Sequence, residues 1–239
     1  MVETTMGNTM SAAELQPQLI ESEPLSNRVK AVLLDRILSG MYEPGERIVE
    51  SRLAKELRIS QSPVREALRD LAAIGLVEIK SRRGARVRRP TAKELSDVSQ
   101  VRAEIDALAA FLAADRLTDD DLDRLRATHQ TMEECHKNED YVGMTGADAE
   151  FHRIIVAASG NGAAERVFNQ LEPFARTFIT LTSPTVEVGG IICQHQGILD
   201  ALVDGDGELA AQRAREHQLS VRLAFFDSTD GVVGAEEAG

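Results

Sequence analysis

The sequence predicts a mainly α protein in two parts: a small N-terminal helical domain closed by a β-hairpin, then a larger all-α helical bundle. Three observations carry this. The 239 residues are 43% hydrophobic but only 4% aromatic and lack Trp, so the core is mostly Ala, Leu, Val and Ile, a mix that favours helices. Apolar residues recur at helical spacing along most of the chain, except for one strand-turn-strand pattern near residues 76–88. Charge is also divided: residues 25–90 carry 15 Lys and Arg against 8 Asp and Glu, whereas residues 91–239 carry 12 against 27. A basic module is thus joined to an acidic one within a chain of formal charge −12. The expected layout is a mobile tail over 1–24, the basic domain over 25–90, the acidic bundle over 91–228 and a Gly- and Glu-containing tail over 229–239.

The tail has little periodicity; Ser11-x-x-Glu14 is a capping box that could start a turn of helix. Asn27 to Leu38 reads as a helix, ended by Ser39-Gly40, and Glu43-Pro44-Gly45-Glu46 as a turn. Glu50 to Leu57 is a short second helix with Leu53, Ala54 and Leu57 on its apolar face. Ser60 suits the N-cap of a third helix, which tolerates Pro63 in its first turn, buries Val64, Ala67, Leu68 and Leu71, and stops at Gly75. Its other face carries Gln61, Ser62, Arg65 and Arg69. Two short helices around a tight turn, the second with a polar and basic outer face, make a helix-turn-helix. Leu76 to Ile79, then Ser81-Arg82-Arg83-Gly84, then Ala85 to Arg88 reads as strand, basic turn, strand. This is a wing whose arginines, Arg82, Arg83 and Arg86 with Gly84 at the turn, would lie against phosphates; the alternative is a flexible basic linker.

Thr91-x-x-Glu94 is a capping box that opens the acidic part. Helices are expected near 92–116, 119–137, 140–158, 162–182, 187–203 and 206–228, separated by caps and breaks at Thr118, Gly160-Asn161-Gly162, Ser183-Pro184 and Gly205-Asp206-Gly207. Asp148 and His152 fall i, i+4 on one helix face, and His195 and His217 lie on two later helices. A carboxylate and three imidazoles can bind a divalent transition metal, zinc first, with nickel or manganese also suited, although a histidine on a helix is more often a core or surface residue than a ligand. His129 and His136 have charged neighbours that suggest a solvated face, and Cys193 reads as a buried structural cysteine.

The two cysteines, Cys135 and Cys193, are too few for a disulfide framework. The longest apolar run, Ala107 to Ala114, is far shorter than the roughly 20 residues needed to span a bilayer, and the N-terminus lacks a secretory pattern. A reduced cytoplasmic protein with no membrane partner is expected.

The N-terminal series Gly40-x-x-x-Pro44-Gly45-Glu46-Arg47-Ile48, Leu53-Ala54-x-x-Leu57, Ser60-x-x-Pro63-Val64-Arg65-Glu66-Ala67-Leu68, Gly75-Leu76-Val77 and Arg83-Gly84-Ala85-x-Val87 resembles the GntR family of bacterial transcription regulators. Val101-Arg102 with Ala109-Ala110, Asp148-x-x-Phe151-His152, Ser159-Gly160-Asn161, His195-x-x-Ile198-Leu199 and Glu216-His217 resemble the metal-binding effector domain of its FadR-like branch. The resemblance covers roughly residues 25–228. It implies a homodimeric repressor on double-stranded DNA with a palindromic operator, metal ligands Asp148, His152, His195 and His217, and Arg102 as carboxylate partner of a small organic acid effector. Gln61 stands where relatives often have Arg, which shifts the expected base from guanine to adenine. Asp106 stands where relatives often have Glu, and no function attaches to it. Two other readings remain: a metal-dependent hydrolase or lyase, and a DNA-binding regulator whose metal is purely structural.

Overall fold

A computed structural model describes residues 23–80, 84–89 and 91–227 of the chain. Helix α1, Leu25–Leu38, buries Val29, Leu33 and Ile37 one turn apart and ends at Gly40, whose φ of +74° reverses the chain. Helix α2, Glu50–Leu57, buries Leu53 and Ala54 and is closed by Arg58 in the left-handed region at φ 56°. Helix α3, Gln61–Ala73, buries the expected Val64, Ala67, Leu68 and Leu71 against α1 and α2. Ser60 takes the extended N-cap conformation, but its hydroxyl makes no capping hydrogen bond. After α3, Gly75 turns at φ +84°, and a Cβ there would meet the Arg88 guanidinium at 3.1 Å and the Phe174 ring at 3.5 Å, so the position needs glycine twice over.

Strands β2, Val77–Lys80, and β3, Gly84–Val87, pair antiparallel with Val77 opposite Val87 and Lys80 opposite Gly84. This is the expected hairpin, moved on by one residue at its start. A third strand was not foreseen: β1, Arg47–Ile48, pairs with the outer edge of β3 and gives the order β1-β3-β2. It buries Ile48 and sets Arg47 opposite Arg86. The hairpin tip, with Arg82 and Arg83, lies outside the described residues, as do the Ser11–Glu14 capping box and the C-terminal tail.

The remaining helices are α4 Ala92–Ala113, α5 Asp119–Lys137, α6 Tyr141–Ala158, α7 Gly162–Thr182, α8 Gly189–Val203 and α9 Gly207–Arg222, the last running on into a π-turn over Leu223–Asp227. Caps fix most starts. Thr91 with Glu94 and Thr118 with Asp121 form capping boxes, and Asp140, Asn161 and Asp206 accept from backbone amides of the helices they precede. Helix α4 runs through the middle against α6, α7 and α9. It buries Ala103, Ala107, Ala110 and Ala113, while α9 buries Ala210 and Ala214; small side chains let these two axes approach closely. Helix α7 passes straight through Pro173. The fold class is as expected, mainly α with one small antiparallel sheet, and among the described residues no helix is long and apolar enough to cross a membrane.

The two parts touch along α7. Phe174, Thr177, Phe178 and Leu181 line a small cavity with Gly75, Leu76, Val87 and Arg88, where the wing meets α3. Arg88 also bonds Gly75 O and the Glu94 carboxylate at the start of α4.

Candidate metal centre and nucleic-acid interface

Asp148 and His152 point from one face of α6, His195 from α8 and His217 from α9. Each offers one donor atom, and these atoms lie within 4.8 Å of one another. His195 Nε2 is 3.1 Å and His152 Nε2 3.9 Å from Asp148 Oδ1, and the His195 and His217 rings are 4.3 Å apart. The three rings are buried, and Asp148 is partly open toward a cavity.

Each imidazole is held from behind. His195 Nδ1 donates to Ile192 O at 3.2 Å, His217 Nδ1 to Gln194 Oε1 at 3.3 Å, and His152 Nδ1 lies 3.5 Å from Asp106 Oδ2. An oxygen at every Nδ1 places the ring hydrogen there and leaves the Nε2 lone pair free. All three Nε2 atoms are buried without an aligned hydrogen-bond partner; the 3.1 Å approach of His195 to Asp148 is close in distance but not in direction. Burial pushes His152 down to about 4, against the pull of Asp106 and Asp148. It holds His217 well below the usual imidazole range, with His195 and His152 adding to the effect. Burial opposes ionisation of Asp148, but the close approach of His195 and the other two rings outweigh it and hold the carboxyl below the usual range. Two imidazoles that burial keeps neutral, an ionised carboxylate and three converging, orphaned Nε2 atoms fit a divalent transition ion.

Asp106 on α4, which the sequence left without a role, is the hub behind the centre. Only 3% exposed, its Oδ2 accepts from Arg102 Nη2 at 3.0 Å and from Gln218 Nε2 at 2.7 Å while facing His152. Arg102, also 3% exposed, lies over the Phe168 ring at 5.2 Å, and its Nε has no partner. By spacing alone Arg102 and Asp106 look like any surface i, i+4 ion pair; the resemblance picked out Arg102, and burial adds Asp106. A cavity of about 30 Å³ lies against Arg102, Asp148, His195 and His217.

Two expectations are corrected. His129 is on the buried face of α5 with Leu125 and Met132, and its Nε2 lies 3.3 Å from Ile192 O, although Glu133 and Glu134 follow within about one turn. Cys193 is exposed, because it sits about 200° around α8 from buried His195.

On the basic side, Gln61, Ser62, Arg65 and Arg69 are exposed together on α3. Arg65 Nε donates to Glu50 at 3.1 Å, and Ser62 Oγ to Glu66 at 3.2 Å. Gly84 has φ +79° at the wing turn. Arg86 donates to Gly45 O at 3.0 Å, so part of its guanidinium braces the sheet. Exposed Arg47, on the unforeseen strand, adds a cation beside it.

A model described as bacterial regulatory proteins, gntR family, matches residues 25–87, and a model of the FCD domain matches residues 97–220. The chain is 30% identical over 214 residues to a protein of Paenarthrobacter nicotinovorans named "Probable D-xylose utilization operon transcriptional repressor", covering 90% of this chain and 94% of that one. It matches the crystal structure of a transcriptional regulator GntR from Rhodococcus sp. RHA1 at a TM-score of 0.70 and 26% identity, over 82% of this chain and 95% of that one. It shares its fold with Escherichia coli McbR/YncC at a TM-score of 0.77 and 20% identity, over 87% of this chain and 100% of that one.

Asp106→Asn should destabilise the bundle by about 3–5 kcal/mol, because Arg102 is left buried without its counter-charge, and weaken zinc binding of the folded protein by about 10–100-fold, because the acceptor behind His152 loses its charge. Competition with a chromophoric chelator measures this, and unchanged affinity would remove Asp106 from the site. A second expectation concerns pH. His152 is neutral in the fold down to about 4 and protonates near 6.5 when unfolded, so between those values the unfolded state holds more protons. Stability of the metal-free protein should therefore fall as pH drops through this window, by up to about 1.4 kcal/mol per pH unit from this residue. Urea unfolding in chelator at stepped pH reads it; a flat profile would mean the native ring is protonated.

Proposed function

This chain belongs to the gntR family of bacterial regulatory proteins and carries an FCD domain, a DNA-binding transcription regulator and not an enzyme, and on that premise we propose that it is a cytoplasmic, homodimeric repressor released or engaged by a small organic acid. The observation that carries this is the convergence of three orphaned Nε2 atoms on Asp148, beside a cavity that His195, His217, Asp148 and Arg102, with its unpaired Nε, line together. Asp148, His152, His195 and His217 would hold the metal, zinc first, which when bound supplies a positive charge with open positions for an acid's oxygens. Arg102 offers its free Nε edge to the same carboxylate. A purely structural metal would need neither a cavity nor a buried guanidinium with an open Nε donor beside the ligands.

The domain division is taken at residue 90, with 25–90 as the DNA-binding part and 91–228 as the effector-binding and dimerisation part. Gln61 and Ser62 would reach base edges, while Arg69, Arg82, Arg83 and Arg86 hold phosphates and Gly84 lets the wing tip approach the minor groove. Arg65, pinned by Glu50, presents its remaining donors in a set direction. Support for the dimer comes from α4. Val101, Leu108 and Phe111 are exposed at i, i+7 and i+10, a continuous apolar stripe on one face. Two copies joined by a two-fold axis there would present two α3 helices to a palindromic operator. Helix α7 gives the ligand a route to the DNA-binding part, since Ile179 lines the acid cavity and Phe174 and Phe178 abut the base of the wing.

The zinc-loaded protein should bind the upstream region of its own gene in a mobility shift, and one acid in a panel of small carboxylates should change that affinity at least about tenfold. Indifference to every acid and to chelator would leave a regulator with a structural core only. Phe111→Glu should yield a folded monomer by light scattering and lose the specific shift; a dimer surviving the substitution would place the two-fold contact elsewhere.

A further inference from the structure

Resting on the acid-sensor reading above, we propose that the cavity selects a short monocarboxylate with a hydrocarbon end and rejects dicarboxylates of the same length. The first argument is charge. A divalent ion brings two positive charges; Asp148 cancels one, Arg102 and Asp106 neutralise each other, and the imidazoles bind as neutral ligands. One positive charge remains, and one carboxylate neutralises it. A second carboxylate would be buried with no counter-charge, which is strongly unfavourable in a low-dielectric site.

The lining offers nothing to offset that. Arg102 is the one cation on the described wall, and Arg176 and Arg222 do not line it. Thr145 spends its hydroxyl on Tyr141 O and on the Thr180 hydroxyl at 2.6 Å, and Gln218 spends an amide hydrogen on Asp106. Arg102 Nε is a buried donor left without a partner, enough for one carboxylate oxygen. Away from the ligands the wall is apolar, with Met132, Met144, Ile179, Ile191, Ile192 and Phe225. Size points the same way: about 30 Å³ is room for roughly two water molecules, which a few heavy atoms would fill.

Isothermal titration of the full-length, zinc-loaded protein with matched pairs tests this: butyrate against succinate, and lactate against malate, with zinc content measured before and after. Each monocarboxylate should bind at least about tenfold more tightly than its dicarboxylate partner. Equal or tighter binding of succinate and malate would overturn the inference and leave the acid-sensor reading standing. No binding by any of the four, with zinc retained, would overturn both. Ile191→Arg adds a cation at a half-buried lining position and should narrow the gap within each pair by about tenfold. In a folded Ile191→Arg protein, an unchanged gap would show that lining charge is not the selector and would also overturn the inference.

Discussion

Asp106 keeps a carboxylate 3% exposed at the centre of the bundle, shared by Arg102, Gln218 and the Nδ1 edge of His152, and the surrounding helices are arranged to keep those four groups together. Removing one partner from such a buried pair typically costs about 3–5 kcal/mol, because it leaves an uncompensated charge behind. The network joins α4, α6 and α9 at one point, which ties the register of three helices to a single set of polar contacts. Close approach is what makes it possible: alanines line the α4 and α9 faces, so the long side chains of Arg102 and Gln218 reach the same oxygen. The same contact that offsets burial of Asp106 also turns His152 so that its Nε2 faces Asp148. Stability of the bundle and geometry of the donor set are therefore one property, not two.

Much of this architecture was legible from residue order because the helices announce their starts. Thr91, Thr118, Asp140, Asn161 and Asp206 stand at the N-caps, and their side chains satisfy amides that the helix leaves open. The donor set was readable for a different reason: the i, i+4 spacing of Asp148 and His152 fixes a common face wherever the helix sits. Features that depend on which face turns inward were not readable. His129 belongs to the Leu125 and Met132 stripe although charged residues flank it in sequence, and Cys193 faces out although the residue two places on is buried. Strand β1 has two residues and no periodicity of its own; it exists because β3 offers a free edge. Pro173 gives no stop to α7, since tertiary contacts on both sides of it outweigh one missing hydrogen bond.

Charge follows the same division of labour. Among the described residues, the bases that give residues 25–90 their excess are spread over α1, α2, α3 and the sheet, and most of the acids that follow are exposed on the bundle helices and their caps. A polyanion is attracted to the first surface and repelled by the second, so docking is oriented before any base is read. Arg65 and Arg86 show how local structure narrows this further. Glu50 and Gly45 O each take one side of a guanidinium, leaving fewer but better directed donors for a phosphate or base.

For a ligand in the bundle to alter binding at α3, it must prefer one arrangement of the two parts by a sufficient free energy. Moving an equilibrium from 99:1 to 1:99 takes about 5.5 kcal/mol. In a two-fold dimer with two equivalent cavities, each ligand need contribute only about half of that, a differential affinity on the order of 100-fold per site. A charge-assisted hydrogen bond contributes about 1.5–3 kcal/mol net, so one new bond to the unpaired Arg102 Nε, made in one arrangement and lost in the other, is of the required size. Helix α7 is where that difference would be felt. Phe168, under the Arg102 guanidinium, and Phe174, against Gly75, lie six residues apart on it, with Pro173 between them removing a backbone bond. A shift of Arg102 toward a ligand would loosen its contact with Phe168, and the helix would respond most easily at the turn where its own hydrogen bonding is weakest. The residues that meet the wing, Phe174, Thr177, Phe178 and Leu181, begin directly after that turn.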